Sequence, residues 1–246
     1  MSDALPALTL SADLLAEAER ELVTIRDWMR FCVSCFRGCD VHIGHGTSDP
    51  FAEASALVLQ TLNLEWSADE EILSARLLPS ERAAIAETLR KRVNERTPLA
   101  YLLNLAYFNG LPFYVDERVL VPRSPIAELI QDRFLPWLKD EPQRILDLCT
   151  GSGCIAIACA KEFPDAVVDA TDLSLDALSV AAINVEHHDL QERVGLLESD
   201  VFSKLPGQRY DLIVSNPPYV DAEDMADLPE EFLREPEMGL ASGADG

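Results

Sequence analysis

The 246-residue sequence has no run of 18 or more apolar residues, and basic side chains are few. Without such a run we expect no transmembrane helix. The start, Met1–Pro6, lacks the basic and apolar regions of a signal peptide, so we expect a cytoplasmic protein whose six cysteines are reduced. The 20 basic residues face 43 acidic ones, which gives a formal charge of −23. That charge repels phosphate backbones and favours a basic partner over bare nucleic acid.

Length alone suggests two domains or one large one, and the change in apolar periodicity predicts two domains with a linker between them. Residues 1–96 predict a helical bundle, because apolar side chains recur at three- and four-residue steps. Within it, Ser67 with Glu70 three residues later predicts the start of a capped helix. Residues 97–123 predict a β-hairpin linker. Its signals are the Asn109-Gly110 turn and the β-forming side chains Phe113, Val115, Val119 and Val121.

Three cysteines and two histidines in the helical part have a spacing that could hold zinc: Cys32, Cys35, Cys39, His42 and His45. The cysteines also fall on one face of a predicted helix, where a free thiol packs as a small apolar group. We therefore expect core packing and no metal.

Residues 124–246 alternate between short apolar strands and helices, which predicts a parallel, doubly wound α/β sheet. The predicted strands are 144–149, 166–172, 194–200 and 211–215. Such sheets bind ligands at the carboxyl ends of their strands. His187 and His188 lie on a predicted helix away from those ends, and we expect both at the solvated surface.

A glycine loop, Thr150-Gly151-Ser152-Gly153, follows the first of these strands and opens a helix. It allows close backbone approach to a ligand and offers free N–H groups. Asp172 ends the next strand, 21 residues after Gly151, where an acid contacts the ribose hydroxyls of an adenosine. Asp200 ends the third strand, within reach of an adenine amino group. These residues predict an adenosine site.

The fourth strand runs directly into Asn216-Pro217-Pro218-Tyr219. Two prolines hold the backbone extended and form a rigid bend. That bend presents the Asn216 amide, the Pro217 carbonyl and the Tyr219 ring together. Two acceptors beside a flat ring suit the binding of a planar NH₂ group, although a proline-rich turn alone is also common.

Two adenosine cofactors fit the glycine loop. Gly151, Gly153 and Ala156 have the spacing of a dinucleotide fingerprint, so an NAD(P)-dependent reductase is one reading. The stretch from Asp147 to Gly153 instead resembles the first motif of class I methyltransferases, which bind S-adenosylmethionine. That resemblance implies cofactor contacts from Asp147, Cys149, Thr150, Gly151, Ser152, Gly153, Asp172, Asp200 and Asn216. A cofactor-binding protein without catalysis is a further alternative, one that would not need Asn216.

The Asn216–Tyr219 motif is similar to the signature of enzymes that methylate planar nitrogens, either adenine in nucleic acid or glutamine in protein. The acidic charge and the helical domain resemble the glutamine branch. The stretch from Tyr114 to Ile130 is similar to the linker of enzymes acting on large-subunit ribosomal protein three, with release-factor methyltransferases as the alternative. The resemblance implies that Asn216 and Pro217 hold the target amide, with Pro218 beside them and Tyr219 packed on its plane.

The resemblance also implies seven strands in the methyltransferase domain, whereas four can be counted before Gly246. The last residues, Ala244-Asp245-Gly246, read as the middle of a loop. We therefore expect a sequence shorter than the full protein.

Overall fold

The structure is a computed structural model that describes residues 9–67 and 69–242. Residues 1–6, on which the signal-peptide prediction depends, and residues 244–246, which suggested an early end, lie outside them. The chain divides into two compact units, Met1–Leu103 with Pro229–Arg234, and Asn104–Leu228 with Glu235–Gly246. No helix within the described ranges is both long and apolar enough to span a membrane.

The first unit is helical. Its helices are α1 (Ala12–Glu21), α2 (Ile25–Gly38), α3 (Pro50–Thr61), α4 (Glu70–Leu73), α5 (Pro79–Asn94) and α6 (Leu99–Leu103). Helix α2 begins with a capping box, in which Thr24 accepts from the Asp27 amide and Asp27 accepts from the Thr24 amide. The start of α4 differs from the sequence prediction, because Asp69 caps it through the Ile72 amide at 2.9 Å. The apolar faces pack around the fully buried Trp28.

A buried ionic cluster joins the segment Pro229–Arg234 to the helices of this unit. Arg92, 1% exposed, donates to Glu53 at 2.5 Å, to Glu231 at 3.4 Å and to the His42 carbonyl at 2.6 Å. Arg96 donates to the same Glu231 oxygen at 3.1 Å. Burial alone would raise the pKa of Glu231, but its hydrogen bonds and Arg92 hold that pKa below its usual value. The paired charges therefore make burial of the Glu231 carboxylate possible.

The cysteines considered as metal ligands have the environment of a helix core. Cys32 and Cys35 are fully buried on α2, and burial raises the pKa of Cys35 to about 12. Both side chains are therefore protonated thiols packed among apolar neighbours. Across the described part of the chain, no group of three or more His, Cys, Asp or Glu side chains is arranged to hold a metal ion.

The second unit begins with a hairpin of strands β1 (Ala106–Phe108) and β2 (Leu111–Phe113). Asn109 and Gly110 both have positive φ, 51° and 76°, as the tight turns of two-residue hairpins require. The strand character predicted for Val115, Val119 and Val121 is wrong, because these residues are buried but form no strand. Their apolar side chains serve a core rather than a ladder.

A four-stranded parallel sheet with order β5-β4-β3-β6 forms the centre of this unit, which confirms the α/β prediction. Its strands and helices are α7 (Ile126–Gln131), β3 (Arg144–Leu148), α8 (Cys154–Glu162), β4 (Val167–Asp172), α9 (Leu175–His187), β5 (Val194–Glu198), β6 (Leu212–Ser215), α10 (Ala222–Ala226) and α11 (Glu237–Leu240). Strand β3 is buried without interruption from Ile145 to Leu148, as a central parallel strand is, and β4 buries Val168, Ala170 and Thr171. The surface position predicted for His188 is wrong, since its ring is buried with Nε2 2.8 Å from the Pro112 carbonyl oxygen.

Candidate active site

Three strands end side by side at one edge of the sheet. In the register of the central strand, Leu148 of β3 is opposite Thr171 of β4 on one side and Ser215 of β6 on the other. Because these pairs are the last of each ladder, the glycine loop, Asp172 and Asn216 all follow at the same edge. The parallel topology thus brings together residues that are far apart in sequence.

The backbone of the glycine loop turns through left-handed conformations. Gly151 and Gly153 have φ of 54° and 80°, and Cys149 adopts φ of 59° despite its side chain. A Cβ on Gly153 would lie 3.2 Å from the Ala181 Cβ of α9, so only glycine allows the loop to pack this close to the helix. A Cβ on Gly151 would meet nothing within 4 Å. Space therefore remains open beside Gly151 for a ligand.

Asp172 connects the loop to the next helix. One carboxylate oxygen accepts from the Gly151 amide and the other from the Ser174 amide, each at 2.9 Å. The side chain therefore shapes the glycine loop as well as facing the cavity. Burial is the main cause that raises the pKa of the Cys149 thiol, and the nearby Asp172 charge adds to it, so the thiol stays protonated.

Asp147 lies beneath the loop and is fully buried. Its Oδ2 accepts from the Thr150 hydroxyl at 2.6 Å and from the Ala156 amide at 3.1 Å, whereas Oδ1 has no hydrogen-bond partner among the described residues. Burial is the main cause that raises the pKa of Asp147 to about 7, and the Asp172 charge adds to it. Asp147 holds the loop and the start of α8 from below and does not line the cavity.

A cavity of about 230 Å³ opens above this edge. Eight of the residues singled out from the sequence line it: Cys149, Thr150, Gly151, Ser152, Asp172, Asp200, Asn216 and Pro218. Four others, Asp147, Gly153, Pro217 and Tyr219, do not. Thr171 is also among the lining residues, and its hydroxyl is buried without a partner in the part of the chain that the structure describes. Such an unpaired polar atom is expected where a ligand group binds.

The Asn216–Tyr219 motif forms an extended segment directly after β6. Neither the Asn216 side-chain amide nor the Pro217 carbonyl makes a hydrogen bond within residues 9–67 and 69–242. The Tyr219 side chain is 74% exposed. These groups are therefore available to a partner molecule, and Asn216 reaches the cavity itself.

Sequence reasoning missed several residues that build this site. Asn184, fully buried on α9, accepts from the Tyr114 amide at 2.7 Å and donates to the Ser152 carbonyl at 2.8 Å. It thereby holds the glycine loop against the chain that follows the hairpin. Its position inside the apolar run Val180–Val185 was a usable signal, since a polar side chain there must find partners. Residues Pro236, Met238 and Gly239 also line the cavity, and no local pattern marked them.

The charges around the cavity favour a ligand with hydrogen-bond donors and positive charge. Asp172 and Asp200 supply carboxylates, and the two lining arginines, Arg118 and Arg123, already hold carboxylates in bidentate pairs. The Gly151 amide, which a pyrophosphate would need, donates to Asp172. The residues fit the hydroxyls, amines and sulfonium of S-adenosylmethionine, and they do not fit the pyrophosphate of a nicotinamide dinucleotide.

Known proteins resemble this chain by family model, by sequence and by structure. A family model described as the methyltransferase small domain matches residues 132–245. A ribosomal protein uL3 glutamine methyltransferase of Neisseria gonorrhoeae is 50% identical over 94% of this chain and 77% of its own length. The protein of the same description from Neisseria meningitidis is 50% identical over 94% and 76%. The solved structure of a ribosomal protein L11 methylase from Lactobacillus delbrueckii subsp. bulgaricus aligns over 53% of this chain and 66% of its own, at 28% identity and a TM-score of 0.34.

Proposed function

The chain belongs to the ribosomal protein uL3 glutamine methyltransferase family, and we propose that it transfers a methyl group from S-adenosylmethionine to the side-chain amide nitrogen of a glutamine in uL3. The observation that carries the residue assignment is the pair of unpaired acceptors after β6. The Asn216 amide oxygen and the Pro217 carbonyl have no partner among the described residues. A primary amide offers two N–H groups and therefore matches them.

An amide nitrogen is a poor nucleophile, because its lone pair is delocalised into the carbonyl. In the proposed mechanism, Asn216 Oδ1 and the Pro217 carbonyl accept the two N–H groups of the glutamine. They orient the nitrogen and stabilise the positive charge that develops on it. Tyr219 packs against the amide plane, and Pro218 keeps the turn rigid. The protonated product amide is strongly acidic and loses its proton to water, so no side-chain base is assigned.

S-adenosylmethionine supplies, when bound, an electrophilic methyl group on a sulfonium. Asp172 is assigned to the ribose hydroxyls and Asp200 to the adenine amino group, because both carboxylates line the cavity at the ends of β4 and β5. The backbone from Cys149 to Ser152, which lines the cavity, lies against the rest of the cofactor. Asp147 supports that backbone from below through Thr150 and Ala156.

The charge of the chain supports a basic protein as substrate. At −23 the protein attracts a cationic partner over roughly the Debye length of about 10 Å at 0.1 M salt, and it repels bare nucleic acid. The cytoplasm, where ribosomal proteins are assembled, is the location that this proposal implies.

The test is methylation of undermethylated ribosomes and of free uL3 with isotope-labelled cofactor, followed by mass spectrometry to locate the label. We expect one labelled glutamine in uL3, and labelling slowed by roughly 10²–10³ with Asn216→Ala. A peptide chain release factor and duplex DNA are included as competing substrates. Faster labelling of the release factor would reassign the substrate, and labelled adenine would overturn the protein-substrate proposal.

A further inference from the structure

Residues Glu235–Ser242, here called the wall segment, form one side of the cavity. Pro236, Met238 and Gly239 line it, and α11 occupies the middle of the segment. The segment belongs neither to the glycine loop nor to the Asn216–Tyr219 motif, and the proposed mechanism assigns it no role. Its attachments show what it does.

The wall segment is attached at its start by an ion pair. Arg123 Nη1 and Nη2 donate to the two carboxylate oxygens of Glu235, both at 2.6 Å. The Glu235 side chain is 0% exposed and that of Arg123 is 25% exposed. Arg123 also lines the cavity, whereas Glu235 does not. A planar guanidinium bound by two parallel hydrogen bonds fixes both distance and orientation.

The far end of the wall segment is attached to the motif. The Val220 amide, directly after Tyr219, donates to the Leu240 carbonyl at 2.9 Å. The Ser242 amide donates back to the Val220 carbonyl at 3.0 Å, which completes a short parallel bridge between Val220 and Ala241. Any shift of the wall segment is therefore transmitted to the residue that follows the Asn216–Tyr219 motif.

A buried ion pair is a weak source of stability, because desolvation of the two charges offsets most of their attraction. Such a pair instead holds the two chain segments that carry it in one defined geometry. At this position that geometry is the placement of residues 119–123, which line the cavity, relative to the wall segment and, through it, to the motif.

We propose that Glu235 is a positioning residue for methyl transfer, acting through Arg123 and the wall segment to hold the Asn216-Pro217-Pro218-Tyr219 turn at its working distance. The inference rests on the proposed function. Glu235 is buried and does not line the cavity, so it acts without touching either reactant. Misplacement of a reacting group by about 1 Å costs as much as 10²-fold in rate.

The test compares Glu235→Gln with Glu235→Asp. Glutamine keeps one acceptor but places an NH₂ group against the second guanidinium N–H, whereas aspartate keeps the charge on a shorter arm. We expect Glu235→Gln to lower kcat by about 10- to 100-fold, with the Kd of S-adenosylmethionine within twofold of wild type. Glu235→Asp should recover part of the rate. The matched control is Glu141→Gln, because Glu141 holds Arg133 at 2.7 Å on the exposed surface and does not line the cavity.

Two measurements separate positioning from loss of fold. Rates are divided by the number of cofactor-binding sites found by calorimetry, so unfolded protein does not count. Amide hydrogen exchange should accelerate at Val220 and Ser242 in Glu235→Gln, with β3 and β4 unchanged. Wild-type kcat per binding site, or unchanged exchange at both amides, would overturn the inference. A wild-type protein that binds cofactor but methylates no glutamine would overturn the proposed function instead, and the exchange data would still decide whether Glu235 positions the turn.

Discussion

Replacement of Asp172 by alanine should weaken cofactor binding while leaving the protein folded. Asp172 accepts two backbone amides at 2.9 Å and also faces the cavity, where we assign it to the ribose hydroxyls. A hydrogen bond to a charged group contributes about 1.5–3 kcal/mol. At about 1.4 kcal/mol per tenfold, Kd should rise roughly 10- to 150-fold.

Asp172→Asn gives an intermediate test. The amide retains one oxygen acceptor, but its NH₂ group must face either the Gly151 amide or the Ser174 amide. We therefore expect a Kd between those of wild type and Asp172→Ala, together with a small loss in the free energy of unfolding. Asp169→Ala is the matched control on the same strand, because Asp169 binds Arg144 and Tyr210 and does not line the cavity.

The assay is isothermal titration calorimetry with S-adenosylmethionine and with S-adenosylhomocysteine, without acceptor, alongside urea unfolding of each variant. Equal affinity of wild type and Asp172→Ala would remove Asp172 from the site. An equal loss in Asp169→Ala would show that strand β4 had shifted as a whole. Tight NADH binding by the wild type would contradict the charge argument made for the cavity.

Asn216, Asp147, the buried cysteines and the net charge each give a further testable prediction. Asn216→Ala should reduce kcat by roughly 10²–10³ with the cofactor Kd almost unchanged, and Asn216→Asp should retain partial activity. Both rates are measured by steady-state methylation of uL3. A wild-type rate in Asn216→Ala would show that the motif is only a turn. Because the pKa of Asp147 rises from 3.8 to about 7 on folding, protonation stabilises the fold at low pH and that contribution is lost as pH rises toward 7. Wild type should therefore lose about 2–3 kcal/mol relative to Asp147→Asn between pH 5 and pH 8 in urea unfolding, and a pH-independent difference would refute it. Chelator treatment should leave the melting temperature unchanged, since Cys32 and Cys35 are buried thiols, and stoichiometric zinc in purified protein would contradict this. Association with uL3 should slow as salt rises above roughly 0.1 M, measured by stopped-flow, and a salt-independent rate would argue against electrostatic attraction.

Much of the second unit could be predicted because its signals are local. Short, mainly apolar runs such as Arg144–Leu148 form strands because their own composition favours them. Gly151 and Gly153 permit the left-handed turns that follow. Asn109-Gly110 predicted its hairpin for the same reason. Parallel strands place their carboxyl ends at one edge, so Asp172 and Asn216 could be predicted to lie at the same edge of the sheet.

Local sequence signals gave wrong predictions where two neighbouring residues could both cap a helix, or where burial decided the conformation or position of a residue. Ser67 and Asp69 are both good helix caps, and the structure uses Asp69. Val115, Val119 and Val121 have β-forming side chains, yet no neighbouring strand pairs with them in the described part of the sheet. His188 has a polar side chain, but the carbonyl of Pro112 gives it a buried partner 76 residues away. Secondary-structure propensity describes which backbone conformations a residue favours, and it does not tell which tertiary partner the fold brings to that residue.

The sequence by itself determined the fold class, the glycine loop, the two strand-end acids and the motif after β6, since each depends on residues close together in the chain. Only the tertiary structure decided which charges meet. Glu235 meets Arg123 across 112 residues, and Glu231 meets Arg92 across 139. It also placed Asp147 beneath the glycine loop, outside the cavity lining, and Asn184 against the same loop. A buried charge or amide needs a partner, but its own sequence neighbourhood does not specify which one, because the return path of the chain brings that partner into place.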